Sequence, residues 1–233
     1  MLSFIIPTLN EEENIQNLLR SLKPQLRQED EIIIVDSYSK DKTAETAKEH
    51  GAKVLMQPKS GIGLAKTAGA KSAKNDIFVF LDADCVMPSD FSERVREHFA
   101  DPKVVAVGGL DLYHSDSWIW KTIYDTYSRG VFYSSKLMHA LTGKYWIPAN
   151  NCAFRKETFF SVGGYRSVVC EDTDMMLRLP PSRNVVYDGS LKLTLSDRRF
   201  KEAGFFKTVA LWGWSNMVAF FGRGKSTEGY RTD

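Results

Sequence analysis

The chain has 233 residues, 43% of them apolar and 26% charged, with a formal net charge of +2. That length holds one large domain, or one domain with an appendage, and the near-neutral balance without any Lys/Arg run excludes nucleic acid as an expected partner. Cys85, Cys152 and Cys170 are odd in number and lack C-x-x-C spacing, so neither a disulfide frame nor a zinc site is expected. A reducing, cytoplasmic compartment is the simpler setting. Nothing at the N-terminus looks like a signal peptide, and no run of roughly 18 apolar residues marks a plain transmembrane helix.

Residues 2–7 form an apolar run closed by Pro7, the pattern of a buried strand with a hard stop. Thr8 or Asn10 is then placed to cap a helix whose first turn carries Glu11, Glu12 and Glu13, where acidic side chains are favoured. Ile15, Leu18, Leu19 and Leu22 keep helical spacing, and Pro24 ends the helix. Residues 31–35 predict a second buried strand ending at Asp36, and Ser39 to Thr43 open the next helix. Residues 53–56 predict a short third strand and 61–73 an Ala/Gly/Lys-rich helix. Ile77 to Leu81 make a fourth strand that runs directly into Asp82 and Asp84; a helix over 89–99 and a strand over 104–107 follow.

Strand and helix thus alternate four times with short links, the pattern of a parallel sheet covered by helices on both faces. Ligands of such α/β sheets bind beyond the carboxyl ends of the strands, and Pro7-Thr8, Asp36-Ser37 and Asp82-Ala83-Asp84 all fall there. In an extended chain Asp82 and Asp84 point the same way. Two like charges there are unfavourable unless a positive group joins them, and a divalent cation carrying a phosphate ester fits, because hard cations take oxygen ligands. The plain alternative is a strand-end turn with two solvated aspartates, as a turn residue is for Asp36.

The pattern changes after Gly109. Residues 117–141 predict a long helix with Trp120, Tyr124, Tyr127, Val131 and Met138 as a core-facing stripe and Gly130 as a weak point. Residues 145–155 read as strand, turn, strand, and 156–162 as a short helix closed by Gly163-Gly164. Glu171, Asp172, Thr173 and Asp174 open a helix that Pro180-Pro181 stops; 184–187 and 191–195 read as strands across an Asp188-Gly189 hairpin turn. Residues 205–221 are apolar around nearly the whole helical circumference, interrupted by Lys207, Ser215 and Asn216. Such a helix is buried in protein or lies at a membrane surface, and Lys201, Lys207, Arg223 and Lys225 flank it.

Taken in order, Ile5-Ile6-Pro7-Thr8-Leu9-Asn10-Glu11-Glu12, then Val35-Asp36-Ser37-x-Ser39-x-Asp41-x-Thr43, then Gly61-x-Gly63-x-Ala65-Lys66-x-x-Gly69, then Leu81-Asp82-Ala83-Asp84 resemble the nucleotide-sugar-binding half of glycosyltransferase family 2. Phe154-Arg155-Lys156, Val162-Gly163-Gly164-Tyr165, Glu171-Asp172 and Arg198-Arg199 resemble that family's acceptor half. The resemblance covers about residues 2–200 and implies the α/β fold called GT-A, a Rossmann-like sandwich with a mostly parallel central sheet flanked by helices. It divides the chain into a catalytic domain over 1–200, with a nucleotide-sugar half 1–109 and an acceptor half 110–200, and a helical extension over 201–233.

The resemblance also implies roles. Pro7, Thr8 and Glu11 would line the nucleoside pocket, Asp36 would accept hydrogen bonds from the base, and Asp82 and Ala83 would sit by the ribose. Asp84 would hold Mn²⁺ or Mg²⁺ on the diphosphate of a UDP- or GDP-linked donor, since no histidine follows His139 to serve as a further ligand. Lys66 would add a positive charge, its alternative being a solvated helix lysine; of Arg198 and Arg199, about 100° apart on a helix, one would reach the phosphates. Asp172 would be the single base of an inverting transfer, kept ionised by the helix dipole, with Glu171 orienting its surroundings. The acceptor would be a saccharide or a lipid-linked molecule at the inner face of the cell membrane. The competing readings are a non-catalytic sugar-nucleotide-binding or membrane scaffold that kept the fold, and a sugar nucleotidyltransferase. The second would carry a glycine-rich, arginine-bearing loop where this chain has Thr8-Leu9-Asn10-Glu11.

Overall fold

The computed structural model describes residues 1–58, 61–168, 170–182 and 184–222. In chain order the elements are β1 (Leu2–Thr8), α1 (Glu12–Leu22), β2 (Glu31–Asp36), α2 (Thr43–Glu49), β3 (Lys53–Met56), α3 (Ile62–Ser72), β4 (Ile77–Leu81), β5 (Cys85–Val86) and α4 (Phe91–Ala100). Then follow β6 (Ala106–Tyr113), α5 (Trp118–Thr142), β7 (Asn151–Arg155), α6 (Lys156–Ser161), α7 (Glu171–Arg178), β8 (Val185–Leu195), α8 (Arg198–Ala203) and α9 (Phe205–Gly222).

The strands form one sheet in the order β3-β2-β1-β4-β7-β6-β8-β5. β1, β2, β3 and β4 are mutually parallel, and only β7 and the short β5 run against the common direction among the described strands. The near-continuous apolar runs of β1, β2 and β4 follow from burial on both faces. One face packs Leu18, Leu22, Phe91 and Val95 of α1 and α4 against Phe4, Ile34 and Val79. The other packs Ala65 and Ala70 of α3, with Phe159 and Met175, against Ile5, Val35, Phe78 and Phe80. Gly69 lets α3 lie close on the sheet, since a Cβ there would meet Ile5 Cγ2 at 2.5 Å.

Several local expectations are corrected. Neither Thr8 nor Asn10 caps α1: Glu11 occupies the cap position without a side-chain bond, and Asn10 takes a left-handed φ of 54° while its amide N–H donates to Ser39 Oγ. The strand expected over 104–107 runs to Tyr113, through Gly108-Gly109, because β7 and β8 pair with it on both sides, so residue 109, where the pattern changes in the sequence, falls inside β6. Of residues 145–155 only Asn151–Arg155 is strand, with Tyr145, Ile147 and Ala149 buried in irregular chain beside α5. Asp188-Gly189 makes no hairpin. β8 stays beside β6 in one direction, with Gly108 opposite Tyr187 and Leu110 opposite Lys192, so the extra residues bulge; Asp188 Oδ1 steadies the bulge by accepting from Ser190 N at 2.7 Å.

Helix α5 is continuous through Gly130 and is capped by Ser117, but its stripe is only partly core: Tyr124 is buried, whereas Trp120 and Met138 are exposed. Helix α9 is not buried all round. Thr208, Ser215 and Ala219 face the protein, while Phe206, Trp214, Met217 and Phe221 are 77%, 61%, 55% and 76% exposed. No helix is long and apolar enough to cross a membrane among the described residues. Arg223 and Lys225 lie outside them.

Candidate active site

The common strand direction delivers the ends of β1, β2, β4 and β6, and the start of β7, to one edge of the sheet. There Asp36, fully buried, accepts from Thr8 Oγ1 at 2.9 Å, Ser39 N at 2.8 Å and Ser39 Oγ at 2.6 Å. Both carboxylate oxygens are thus engaged in tying β1 to the loop after β2, so Asp36 builds the floor of the edge. Ala83 is buried in the core and offers the edge only its backbone.

Lys66 is not a solvated lysine. Its side chain is 1% exposed, and its Nζ donates to Ala149 O at 2.8 Å, pairs with Asp82 Oδ1 at 3.1 Å and lies 3.9 Å from Glu171 Oε1. Burial works against the ammonium, yet the charges of Asp82 and then Glu171 outweigh it and hold Lys66 above its ordinary value. One buried cation therefore joins the acidic end of β4, the chain before β7 and the first turn of α7. Gly63 permits this approach: a Cβ there would sit 2.2 Å from Arg166 O and 3.1 Å from Glu171 Cβ.

Asp84 sits in surroundings that disfavour its negative charge. Burial, then the charges of Asp82 and Glu11, push its carboxyl up to about 6, against the partial relief of Arg198 and Arg199. A carboxylate set so disfavoured in its ionised form fits a divalent ion that would arrive with a diphosphate. No group of three protein ligands surrounds it among the described residues, so Asp84 would share the ion with phosphate oxygens and water.

Across the site, burial and then Glu171 push Asp172 up to about 7, with Lys66 pulling the other way. The expectation that the dipole of α7 keeps it fully ionised is corrected: burial and Glu171 outweigh the first turn of a helix only eight residues long. An acid group poised near neutrality suits a proton acceptor. Asp174 is instead committed to Arg178, with Oδ2 at 2.7 and 2.9 Å from two guanidinium nitrogens. The Gly163-Gly164 pair caps α6 in left-handed conformation, φ 82° and 73°, and brings Gly164 against Thr67 of α3.

Arg198 and Arg199 diverge as adjacent helical residues must. Arg198 Nη2 pairs with Glu11 Oε1 at 2.7 Å, and Arg199 stacks over Trp212 at 6.0 Å. Residues that the sequence patterns do not single out complete the edge. Asp111, from β6, accepts from Asn150 Nδ2 at 3.0 Å, and burial pushes it up to about 6, with the Asn150 and Asn151 amides pulling the other way. The available signal is an aspartate inside an otherwise apolar strand. Beside α8, Trp120, Tyr124, Phe200 and Phe205 line a cavity of about 500 Å³ that reaches Asp197, whose neighbour Ser196 donates its N–H to Asp84 O at 3.1 Å.

A carboxylate-bearing edge of an open α/β sheet, faced by an acidic helix, is where such a sheet binds a ligand. Comparison then places this one: the family described as glycosyl transferase family 2 matches residues 3–163, and the chain belongs to that family. It is 35% identical over 112 residues to the dolichol-phosphate mannosyltransferase of Pyrococcus furiosus, spanning 46% of this chain and 32% of that protein. It is 26% identical over 189 residues to the O-antigen chain rhamnosyltransferase RfbN of Salmonella typhimurium, spanning 76% of this chain and 60% of that one. The chain thus matches between a third and three-fifths of these relatives' lengths. Among solved structures, the mannosyltransferase PcManGT from Pyrobaculum calidifontis, in complex with GDP-Man and Mn²⁺, superposes with a TM-score of 0.66 at 19% identity, covering 97% of this chain and 65% of that one. Staphylococcus aureus TarS 1-349 with UDP-GlcNAc gives 0.65 at 15% identity, covering 84% and 58%. These likenesses show the fold, which is the GT-A arrangement that the sequence motifs imply.

Proposed function

We propose that the chain is an inverting glycosyltransferase that moves a sugar from a UDP- or GDP-linked donor to an acceptor hydroxyl or phosphate, using one carboxylate as base. The observation that carries this reading is the buried Lys66, which ties Asp82 at the end of β4 to Glu171 beside Asp172. In this reading Asp84, two residues from Asp82, serves the diphosphate, and Asp172, next to Glu171, serves as the base. Solved structures of matching fold are complexed with UDP-Glc or GDP-Man and Mn²⁺.

In this reading Pro7, Thr8 and Glu11 border the nucleoside, and Arg198, once released from Glu11, meets the diphosphate. Asp84 with the diphosphate would hold Mn²⁺ or Mg²⁺, whose role is to neutralise charge on the departing diphosphate. With a hydroxyl acceptor, Asp172 takes the proton as the acceptor oxygen bonds to the anomeric carbon, whereas a phosphate oxygen arrives already deprotonated; in either case the bond from that carbon to the diphosphate oxygen breaks, and the nucleoside diphosphate leaves. One displacement inverts the anomeric centre.

The acceptor side is read from α9. Thr173, next to Asp172, donates from Oγ1 to Asn216 of α9 and accepts from Trp146 Nε1 at 3.2 Å. The outward Phe206, Trp214, Met217 and Phe221 give this helix an aromatic face suited to a membrane interface, which would bring a lipid-linked acceptor to the base. Two named relatives, a dolichol-phosphate mannosyltransferase and an undecaprenyl-phosphate 4-deoxy-4-formamido-L-arabinose transferase, support that acceptor class. Release of UDP or GDP from a donor panel, with Mn²⁺ and a polyprenyl phosphate in vesicles, tests the reading. Absence of release from every donor would remove it.

A further inference from the structure

Tyr38 holds a backbone conformation that tyrosine rarely adopts. Its φ is 60°, in the left-handed region, where glycine is the ordinary choice and a bulky side chain is an outlier. The turn around it is fixed from both sides. Asp36 accepts from Ser39 N at 2.8 Å and Ser39 Oγ at 2.6 Å, Asn10 N donates to Ser39 Oγ at 2.8 Å, and Lys40 N donates to Asn10 Oδ1 at 2.8 Å. The tyrosine itself is 58% exposed, and its ring takes part in no hydrogen bond or ring contact among the described residues. Neither burial nor a polar partner there accounts for a tyrosine where glycine would be unstrained. Strain of this kind persists where the surroundings impose it, and it collects at ligand sites.

Its position says which part of a ligand it can meet. Tyr38 follows β2, and the bonds from Ser39 and Lys40 to Asn10 hold its turn against the loop after β1, between Thr8 and Glu11. In the order β2-β1-β4 the strand that ends in Asp82 and Asp84 lies beyond β1, about 10 Å from β2 by two strand spacings. That leaves room for a ribose between the diphosphate carboxylates and Tyr38. An anionic phosphate gains nothing from the negative face of an aromatic ring, whereas a nucleobase is flat and stacks on it. Asp36, on the same turn, is fully buried with both oxygens engaged by Thr8 and Ser39, so the group this turn exposes is the ring. Among the described residues of the loops after β1, β2 and β3, Tyr38 is the one aromatic.

We propose that Tyr38 is the platform on which the nucleobase of the donor stacks, its strained backbone being kept for that contact. This rests on the glycosyltransferase reading above. The test is calorimetric titration of the full chain with Mn²⁺ and UDP, GDP or inorganic pyrophosphate, repeated for Tyr38→Phe, Tyr38→Asn and Tyr38→Gly. With whichever nucleotide binds the wild type, Tyr38→Phe should stay within about twofold, because the ring is kept. Tyr38→Asn and Tyr38→Gly should lose about tenfold or more, the size of a base–aromatic stack. Pyrophosphate, which has no base, should bind all four proteins within about twofold of one another. Asparagine and glycine both accept the left-handed conformation, so the Tm of these two variants, read by circular dichroism, should lie at or above that of the wild type. Unchanged nucleotide affinity in Tyr38→Asn and Tyr38→Gly would overturn the proposal. Equal loss for nucleotide and pyrophosphate would overturn it by making the turn a support of the phosphate site. A lowered Tm in both variants would overturn it by making the ring a packing group of the fold. A wild type that binds neither UDP nor GDP fails the glycosyltransferase reading itself, and the proposal falls with it.

Discussion

Replacing Lys66 with methionine isolates the buried cation at the centre of the site. Methionine preserves most of the side-chain volume, so the packing of α3 on the sheet is retained and the loss is polar. The buried Ala149 O loses its 2.8 Å donor, an orphaning worth about 1–3 kcal/mol. Glu171 and Asp82 lose their shared counter-charge, and the latter, 34% exposed, contributes little after solvent screening. Removal of one partner from a buried pair typically costs about 3–5 kcal/mol. The desolvation that the ammonium no longer suffers offsets part of this, leaving a net loss of about 3 kcal/mol near neutral pH. For a chain of this size that lowers Tm by about 6–12 °C.

The loss must also depend on pH with a definite sign. Asp172 has a folded-state pKa raised to about 7, above its unfolded value, so its ionisation weakens the fold increasingly as pH rises between those values and fully above the folded one. Without Lys66 that penalty grows. Thermal unfolding followed by circular dichroism should therefore show the largest Tm deficit at about pH 8 and a smaller one at about pH 5. A deficit equal at both pH values, or a variant more stable than wild type at about pH 8, would refute the role given to Lys66.

Asp172→Asn should lower transfer to a hydroxyl acceptor by about two orders of magnitude or more with donor affinity nearly unchanged, while Glu171→Gln costs less; steady-state kinetics with donor titration checks both. With that acceptor, wild-type kcat should climb as pH rises through about 7, because only the ionised Asp172 can take the hydroxyl's proton, and a pH-rate profile without that limb would place the base elsewhere. Stabilisation by Mn²⁺ with UDP or GDP should fade as pH drops through about 6, where Asp84 takes up a proton in competition with the ion; thermal shift across pH reads this directly. In liposome flotation, the full chain should float with vesicles and a Trp214→Glu, Phe221→Glu double variant should not; equal flotation of the two would dismiss α9 as the membrane contact.

Much of this arrangement is legible in the sequence. Unbroken apolar runs such as those of β1, β2 and β4 arise only where both faces of a strand are covered, so the parallel half and its polar edge follow from local pattern. The second half is harder because its pairing is set by distant partners. Gly108-Gly109 looks like a strand end, yet β7 and β8 supply hydrogen bonds on both sides and carry β6 through to Asp111. Asp188-Gly189 has the composition of a hairpin turn, but the parallel register with β6 turns it into a bulge. The burial of Lys66 is equally hidden: the motif resemblance singles out this lysine, but the composition of a helix rich in alanine and lysine does not show that it is buried against carboxylates brought from residues 82 and 171. The outward aromatic face of α9 is invisible to periodicity because the helix is apolar nearly all round, and its neighbours alone decide which side is covered.

The most direct test of the central claim is release of UDP or GDP from a nucleotide sugar in the presence of Mn²⁺ and a polyprenyl phosphate acceptor, measured for wild type and Asp84→Ala side by side. The wild type should release nucleoside diphosphate in step with glycosylated acceptor, and Asp84→Ala, still folded by circular dichroism, should release none and lose its Mn²⁺-dependent stabilisation. Full metal-dependent transfer by Asp84→Ala would contradict the assignment of the strand-end carboxylate on which the whole site is built.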